Sequence, residues 1–289
     1  MITFASDLKT PEGPVALPDG SFLVVEGGRG SVTQISPDGH SNRIIAVTGE
    51  PNGLAVDRAG VIWVADIQPP ALIRLTMDGK FERVLTECHG EPFLFPNDLC
   101  FGPDGALYLT DSGILTDEFA PGGVIRSDWA DLKMDGRVYR IDTRTLDIHK
   151  LDSGLKFVNG IAFSADQRLY INDTATRMVY RYPWKDGKLI GPREDFGSVD
   201  DPSKPALFKG PDGMAFDTNG KLYVAVYAQS DVTVLGRNGK VIERIQTPGN
   251  LPTNVCFGLP GQKKIYVTEY ELGRLECFNV DAEGLPLWG

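Results

Sequence analysis

The chain has 289 residues, 39 of them acidic and 29 basic, with a formal charge of -10 and an isoelectric point near 4.9. That balance disfavours nucleic acid and anionic membranes as partners, and no Lys/Arg cluster overrides it locally. No apolar run reaches the roughly 18 residues that suggest a membrane span, and the opening MITFASDLKT lacks a basic or apolar leader, so a cytoplasmic chain with no membrane partner is expected.

In chain order, ITFASD at 2–7 reads as a strand with no sheet of its own. PEGPVALPDGSFLVVE at 11–26 follows: an apolar run, a Pro-Asp-Gly turn and a second run ending on an acid. The pattern recurs as PNGLAVDRAGVIWVAD at 51–66, PNDLCFGPDGALYLTD at 96–111, VNGIAFSADQRLYIND at 158–173, PDGMAFDTNGKLYVAV at 211–226 and PTNVCFGLPGQKKIYVTE at 252–269, making six copies. After each pair of runs comes a third strand, usually basic or aromatic, such as ALIRLT at 71–76 or MVYRYPW at 178–184. Most copies add a fourth, more polar one, such as FERVLTE at 81–87.

Aligning the copies brings Glu12, Asn52, Asn97, Asn159, Asp212 and Thr253 to one position, at intervals of 40, 45, 62, 53 and 41 residues. That is close to the period of a four-stranded propeller blade. The expected fold is therefore all-β, a six-bladed β-propeller of four-stranded antiparallel blades forming a single domain over residues 1–289. Residues 2–7 are expected to supply the outer strand of the last blade and close the ring. Cys88, Cys100, Cys256 and Cys277 form no CxxC motif and read as free buried thiols.

In a propeller the first strand of each blade lines the central channel, so the six aligned residues should converge as a polar ring at one mouth. The Asn-Gly and Asp-Gly steps at 52–53, 159–160 and 212–213 also suit ordinary turns. Glu12 and Thr253 are not favoured turn residues, and Asn97 is followed by Asp98 instead of Gly. Two carboxylates with several amide oxygens form a hard donor set suited to one divalent cation, Ca²⁺ first, with Mg²⁺, Mn²⁺, Fe²⁺ and Zn²⁺ open. His40, His89 and His149 lie away from these positions, which argues against a His-rich zinc centre. Five second strands end on an acid, Glu26, Asp66, Asp111, Asp173 and Glu269, and these either back the ring or cap the strands.

These motifs carry a resemblance. The N-terminal Glu-Gly-Pro, the Phe-Pro-Asn-Asp before a Pro-Asp-Gly turn, the Asn-Gly-Ile-Ala-Phe of the fourth copy and the Pro-Asp-Gly-Met of the fifth resemble the SMP-30/gluconolactonase family of six-bladed propellers, over roughly residues 11 to 280. The resemblance implies one divalent cation held by Glu12, Asn159 and Asp212, with Asn97 touching metal or substrate. It also implies hydrolysis of a sugar lactone to its aldonic acid. In that reading the ion polarises the lactone carbonyl, Asp212 takes the proton of the attacking water, and Asn97 fixes a substrate oxygen. Asp98 is an alternative base and a substrate contact, while Asn52 and Thr253 orient water or hydroxyls. The first copy lacks the Trp that often follows its motif, and no arginine precedes Asn97 where some sugar-lactone members use one.

Substrate choice is expected in three long segments over that mouth: 85–96, 113–135 and 185–210. The 113–135 insert, with Phe119, Arg126 and Trp129, reads as a lid, Arg126 and Trp129 being its substrate contacts. The alternatives are a phosphotriester or aryl-ester hydrolase on the same scaffold, and a non-catalytic calcium-binding propeller.

Overall fold

The computed structural model describes residues 1–288. In each repeat the two apolar runs pair as a hairpin, and the third and fourth strands continue an antiparallel sheet outward, giving six four-stranded blades. The innermost strands are Pro11–Ala16, Pro51–Val56, Pro96–Phe101, Val158–Phe163, Gly210–Phe216 and Pro252–Phe257. The Pro-Asp-Gly steps make the first hairpins: Gly105, at a φ of 76°, returns its N–H to Gly102 O at 2.9 Å, a conformation that favours a residue without Cβ.

The sixth blade holds three strands from the end of the chain and takes its fourth from the start. Ile2–Ala5 pairs antiparallel with Arg274–Asn279, as the unpartnered strand ITFASD led us to expect. Closing the ring through both ends removes the free sheet edge that an open stack would leave. Beyond that strand the chain crosses the far face of the ring. Gly284 bridges Asp217, and Trp288 packs against the cores of the second, third and fourth blades.

The core lies between blades. Trp63 and Leu72 of the second blade pack with Leu107, Leu109 and Tyr139 of the third, which explains why the second strands are apolar on both faces. Polar side chains at the ends of the second strands lace the third blade to the fourth and the fourth to the fifth. Thr110 Oγ1 donates to Asn159 O at 2.7 Å, Ser112 Oγ to Val158 O at 2.7 Å, and Thr174 Oγ1 to Pro211 O at 2.8 Å. These carbonyls belong to inner strands whose neighbour sheet could not otherwise pair them.

One boundary differs from expectation. The segment 185–210 is not a single loop over the mouth: Trp184–Lys185 and Lys188–Leu189 form a small hairpin, and Glu194–Ser198 is the outer strand of the fourth blade. Only the part beyond Ser198 reaches the mouth, where Phe208 lines the cavity. The Gly-rich, charged composition of 185–197 hid a short outer strand with one buried residue, Phe196, among exposed neighbours. Among the described residues no helix is long and apolar enough to cross a membrane.

Candidate functional site

Each innermost strand carries a register shift at its aligned polar residue, for example between Glu12 and Val15, Val158 and Ile161, and Pro211 and Met214. A bulge re-aims the side chain beside it, and repeating it six times turns six polar side chains toward one axis. Glu12, Asn97, Asn159, Asp212 and Thr253 are buried and Asn52 is half-buried. All six line one cavity of about 190 Å³.

The position after the ring explains how close the strands come. It is Gly13, Gly53, Gly160 and Gly213 in four blades and Asp98 and Asn254 in the opposed third and sixth. A Cβ on Gly53 would stand 2.6 Å from Asn97 O and 2.8 Å from Asp98 Cα, and one on Gly213 would collide with the Asn254 amide. The glycines thus leave room for two larger polar side chains that meet below the ring. The Asn254 amide lies within hydrogen-bonding reach of Asp98 and donates to Glu12 Oε2 at 2.9 Å.

Electrostatically the centre is an uncompensated knot of carboxyls. Burial, with Asp98 alongside, pushes Glu12 well above the usual carboxylate range; burial, with Glu12 and Asp98, does the same to Asp212. Asp98 is pushed up to about 7 by burial. No Lys or Arg pairs with any of the three among the described residues, so the knot lacks the counter-charge that buried carboxylates need. Asp212 lies within hydrogen-bonding reach of Asn159 and Glu12. Among the described residues no three His, Cys, Asp or Glu side chains form a metal cage. The set at the ring is mixed, two carboxylates and amide oxygens, and its hard donors and missing positive charge fit one divalent cation.

The other expected site residues divide. Asn52 Nδ2 donates to Asn97 O and Oδ1, both at 3.1 Å, and Asn97 Nδ2 donates to Ser112 Oγ at 3.0 Å, so this pair is held rigidly at the cavity edge. Thr253 Oγ1 donates to Pro11 O at 3.0 Å and ties the sixth blade to the first. Asp98 lies below the ring and does not line the cavity. Arg126 and Trp129 do not line it either: Arg126 pairs with Asp128 at the surface, and Trp129 donates from Nε1 to Leu207 O at 2.8 Å. The insert does cover the mouth, but through Thr116, Phe119, Ala120 and Ile125. The acids ending the second strands are clasps; Asp111, for instance, accepts from the N–H groups of Leu94, Phe95 and Gly113.

Sequence reasoning missed Asn254, although its place after Thr253 matches that of Asp98 after Asn97. It also missed Glu50, Phe95 and Phe157, each two residues before its ring residue, and Tyr270, directly after the acid Glu269, although the repeat aligns these positions; Phe208 comes from a loop with no counterpart.

A family described as SMP-30/Gluconolactonase/LRE-like region matches residues 10–271. The chain belongs to this family. Among its relatives, a gluconolactonase of Zymomonas mobilis is 30% identical over 89% of this chain and 76% of its own length. A pentonolactonase of Haloferax volcanii is 28% identical over 89% and 80%, and the diisopropyl-fluorophosphatase of Loligo vulgaris 29% identical over 96% and 91%. Among solved structures, a gluconolactonase of Xanthomonas campestris superposes with a TM-score of 0.77 at 24% identity, covering 98% of this chain and 89% of that one. The calcium-binding protein regucalcin of Agrobacterium tumefaciens gives 0.79 at 19% identity, covering all of both. At these identities the two structures bear on the fold alone.

Proposed function

We propose that the protein is a divalent-cation-dependent lactonase that opens a small lactone to its hydroxy acid. The observation that carries the reading is the pair Glu12 and Asp212, two carboxylates buried against each other without a basic partner at the base of a ring-sized cavity. Family membership supports a hydrolase, and the names of the Zymomonas and Haloferax relatives favour lactones. Glu12, Asn159 and Asp212 would hold the cation, with Ca²⁺ favoured by the all-oxygen donors and Mg²⁺, Mn²⁺, Fe²⁺ and Zn²⁺ as competitors. Bound there, such an ion supplies Lewis-acid stabilisation of negative charge on a carbonyl oxygen.

The chain's own contribution is placement and proton transfer. Asp212 accepts the proton of the attacking water and returns it to the ring oxygen as the carbonyl C–O bond breaks, so the hydroxy acid leaves with its atoms balanced. Asn97, locked between Asn52 and Ser112, holds the substrate oxygen at the cavity edge. Phe119 and Phe208, 5.0 Å apart between ring centroids, exclude bulk water above the ring. Asp98, closed off beneath, acts through Asn254 and is not the base.

A second reading, a phosphotriester hydrolase on the same site, is favoured by the squid relative. Chelated protein, then protein given back each divalent ion, is assayed on five- and six-membered lactones and on a phosphotriester beside the Asp212→Ala variant. Cation-restored lactone opening that is lost in the variant is expected. Turnover of the phosphotriester alone moves the protein to the second reading, and no turnover under any ion leaves a non-catalytic propeller.

A further inference from the structure

The cavity has two unlike walls. One is polar, from Thr10, Glu50, Asn52 and Tyr270. The other is a continuous aromatic face in which Phe95, Phe119, Phe157 and Phe208 pack on one another, with ring centroids 4.6 to 5.5 Å apart. These side chains come from four separate segments, the loop before the third blade, the 113–135 insert and the loops entering the fourth and fifth blades, so the face is assembled over the ring and is not the interior of one blade. Two exposed apolar residues are sequence neighbours of the lining: Val124, 71% exposed, stands between Gly123 and Ile125, and Leu207, 54% exposed, precedes Phe208.

The charge of the lining points the same way. No Lys, Arg or His lines the cavity among the described residues, and three carboxylates do: Glu12, Glu50 and Asp212. A single bound divalent cation leaves that set negative. The lining therefore has no partner for a phosphate, sulfonate or carboxylate, and a carboxylate at Glu50 repels one. A polyhydroxylated ring would have to leave its hydroxyls on one side against four phenyl groups that offer no hydrogen bond, and each unmade bond of this kind is costly.

Resting on the lactonase reading above, we propose that the substrate is a neutral lactone bearing a short alkyl or aryl substituent, which lies on the Phe95–Phe119–Phe157–Phe208 face while the ring oxygens meet the polar wall. The cavity volume sets the scale: a single ring with a substituent of a few carbons fills it. Specificity then comes mainly from apolar burial, which raises kcat/KM about three- to fourfold for each methylene that reaches the aromatic face.

The test is a homologous series assayed with cation-loaded protein: δ-valerolactone, its 3-carbon and 5-carbon alkyl derivatives, glucono-δ-lactone and a carboxylate-bearing lactone. Binding of the matching alkyl δ-lactams, which resist opening, is measured in parallel by calorimetry on the chelated protein. We expect kcat/KM to rise at least tenfold from δ-valerolactone to the first alkyl derivative, with glucono-δ-lactone and the anionic lactone below both and lactam affinity following the same order. Phe208→Ala flattens the series, Glu50→Gln narrows the penalty on the anionic lactone, and Arg126→Ala, outside the cavity, changes neither. Opening of all the lactones with no gain from the alkyl chain, or with glucono-δ-lactone preferred, overturns the proposal and leaves the lactonase reading standing. If no lactone is opened the lactonase reading falls, and lactam affinities that do not rise with chain length then overturn the aromatic-face proposal as well.

Discussion

Asn254 Nδ2 donates to Glu12 Oε2 at 2.9 Å, across the seam where the last blade of the ring meets the first. This bond orients one carboxylate of the expected cation site from a strand far away in sequence, and Asn254 Oδ1 is itself fixed by the Val255 N–H at 2.8 Å. A group that orients a ligand without touching the ion typically governs affinity by one to two orders of magnitude. Asn254→Ala is expected to weaken divalent-cation binding about 10- to 100-fold, measured by competition with a chelator, while the circular-dichroism spectrum stays that of the parent.

Stability without cation should depend on pH in a direction set by the carboxyl knot. Glu12, Asp98 and Asp212 are all raised in the folded chain, so the stability linked to them is full below the ordinary carboxylate range and is lost as pH rises through their folded values, about 7 for Asp98. Chelated protein is expected to melt about 5 °C or more lower at pH 8 than at pH 5. Saturating Ca²⁺ should erase most of that slope, and Asp98→Asn should reduce it. A chelated protein whose melting temperature rises over the same interval contradicts the electrostatics described here.

The lacing between blades can be cut at one atom. Thr110, fully buried, donates 2.7 Å to Asn159 O and accepts from Asp98 N–H at 3.1 Å. Thr110→Val keeps the shape and strands both partners, at a cost of about 1–3 kcal/mol. Denaturant unfolding should show that loss, and cation affinity should fall with it because Asn159 is no longer held.

Close approach at the ring gives a sharper steric prediction. Gly53→Ala places a methyl 2.6 Å from a backbone oxygen and 2.8 Å from a backbone Cα of the next blade, neither of which a rotamer change can relieve. The variant is expected to lose about 2 kcal/mol or more and to bind cation weakly. Gly60→Ala, in an open turn, is the contrast; its positive φ alone costs about 1 kcal/mol, and cation binding is untouched.

Much of this was legible in the chain, for a physical reason. A blade is a local unit, so its strands, turn glycines and channel-facing residue fall within one stretch, and six stretches aligned to give Glu12, Asn52, Asn97, Asn159, Asp212 and Thr253. The strand at 2–7 was legible as the closing strand because the sixth copy lacked a fourth. What repetition does not encode was not legible. Phe208 comes from a loop the repeat does not align, and Phe95 and Phe157, though each stands two residues before its ring residue, are apolar side chains that nothing in the local sequence distinguishes from core residues. Arg126 and Trp129 looked like ligand contacts because they sit in an insert, yet Arg126 is satisfied by Asp128 two residues on and Trp129 packs on Phe208 from outside the cavity.

The most direct test of a cation-dependent lactonase centred on Glu12 and Asp212 is a titration of turnover. Chelated protein at known concentration is given increasing equivalents of Ca²⁺, or of whichever ion restores most activity, and the initial rate of lactone opening is followed at each step. The account predicts no rate above background at zero cation, a linear rise that breaks at one equivalent per chain, and a flat line for Asp212→Ala. Full turnover in the chelated protein, or an undiminished rate in that variant, would contradict it.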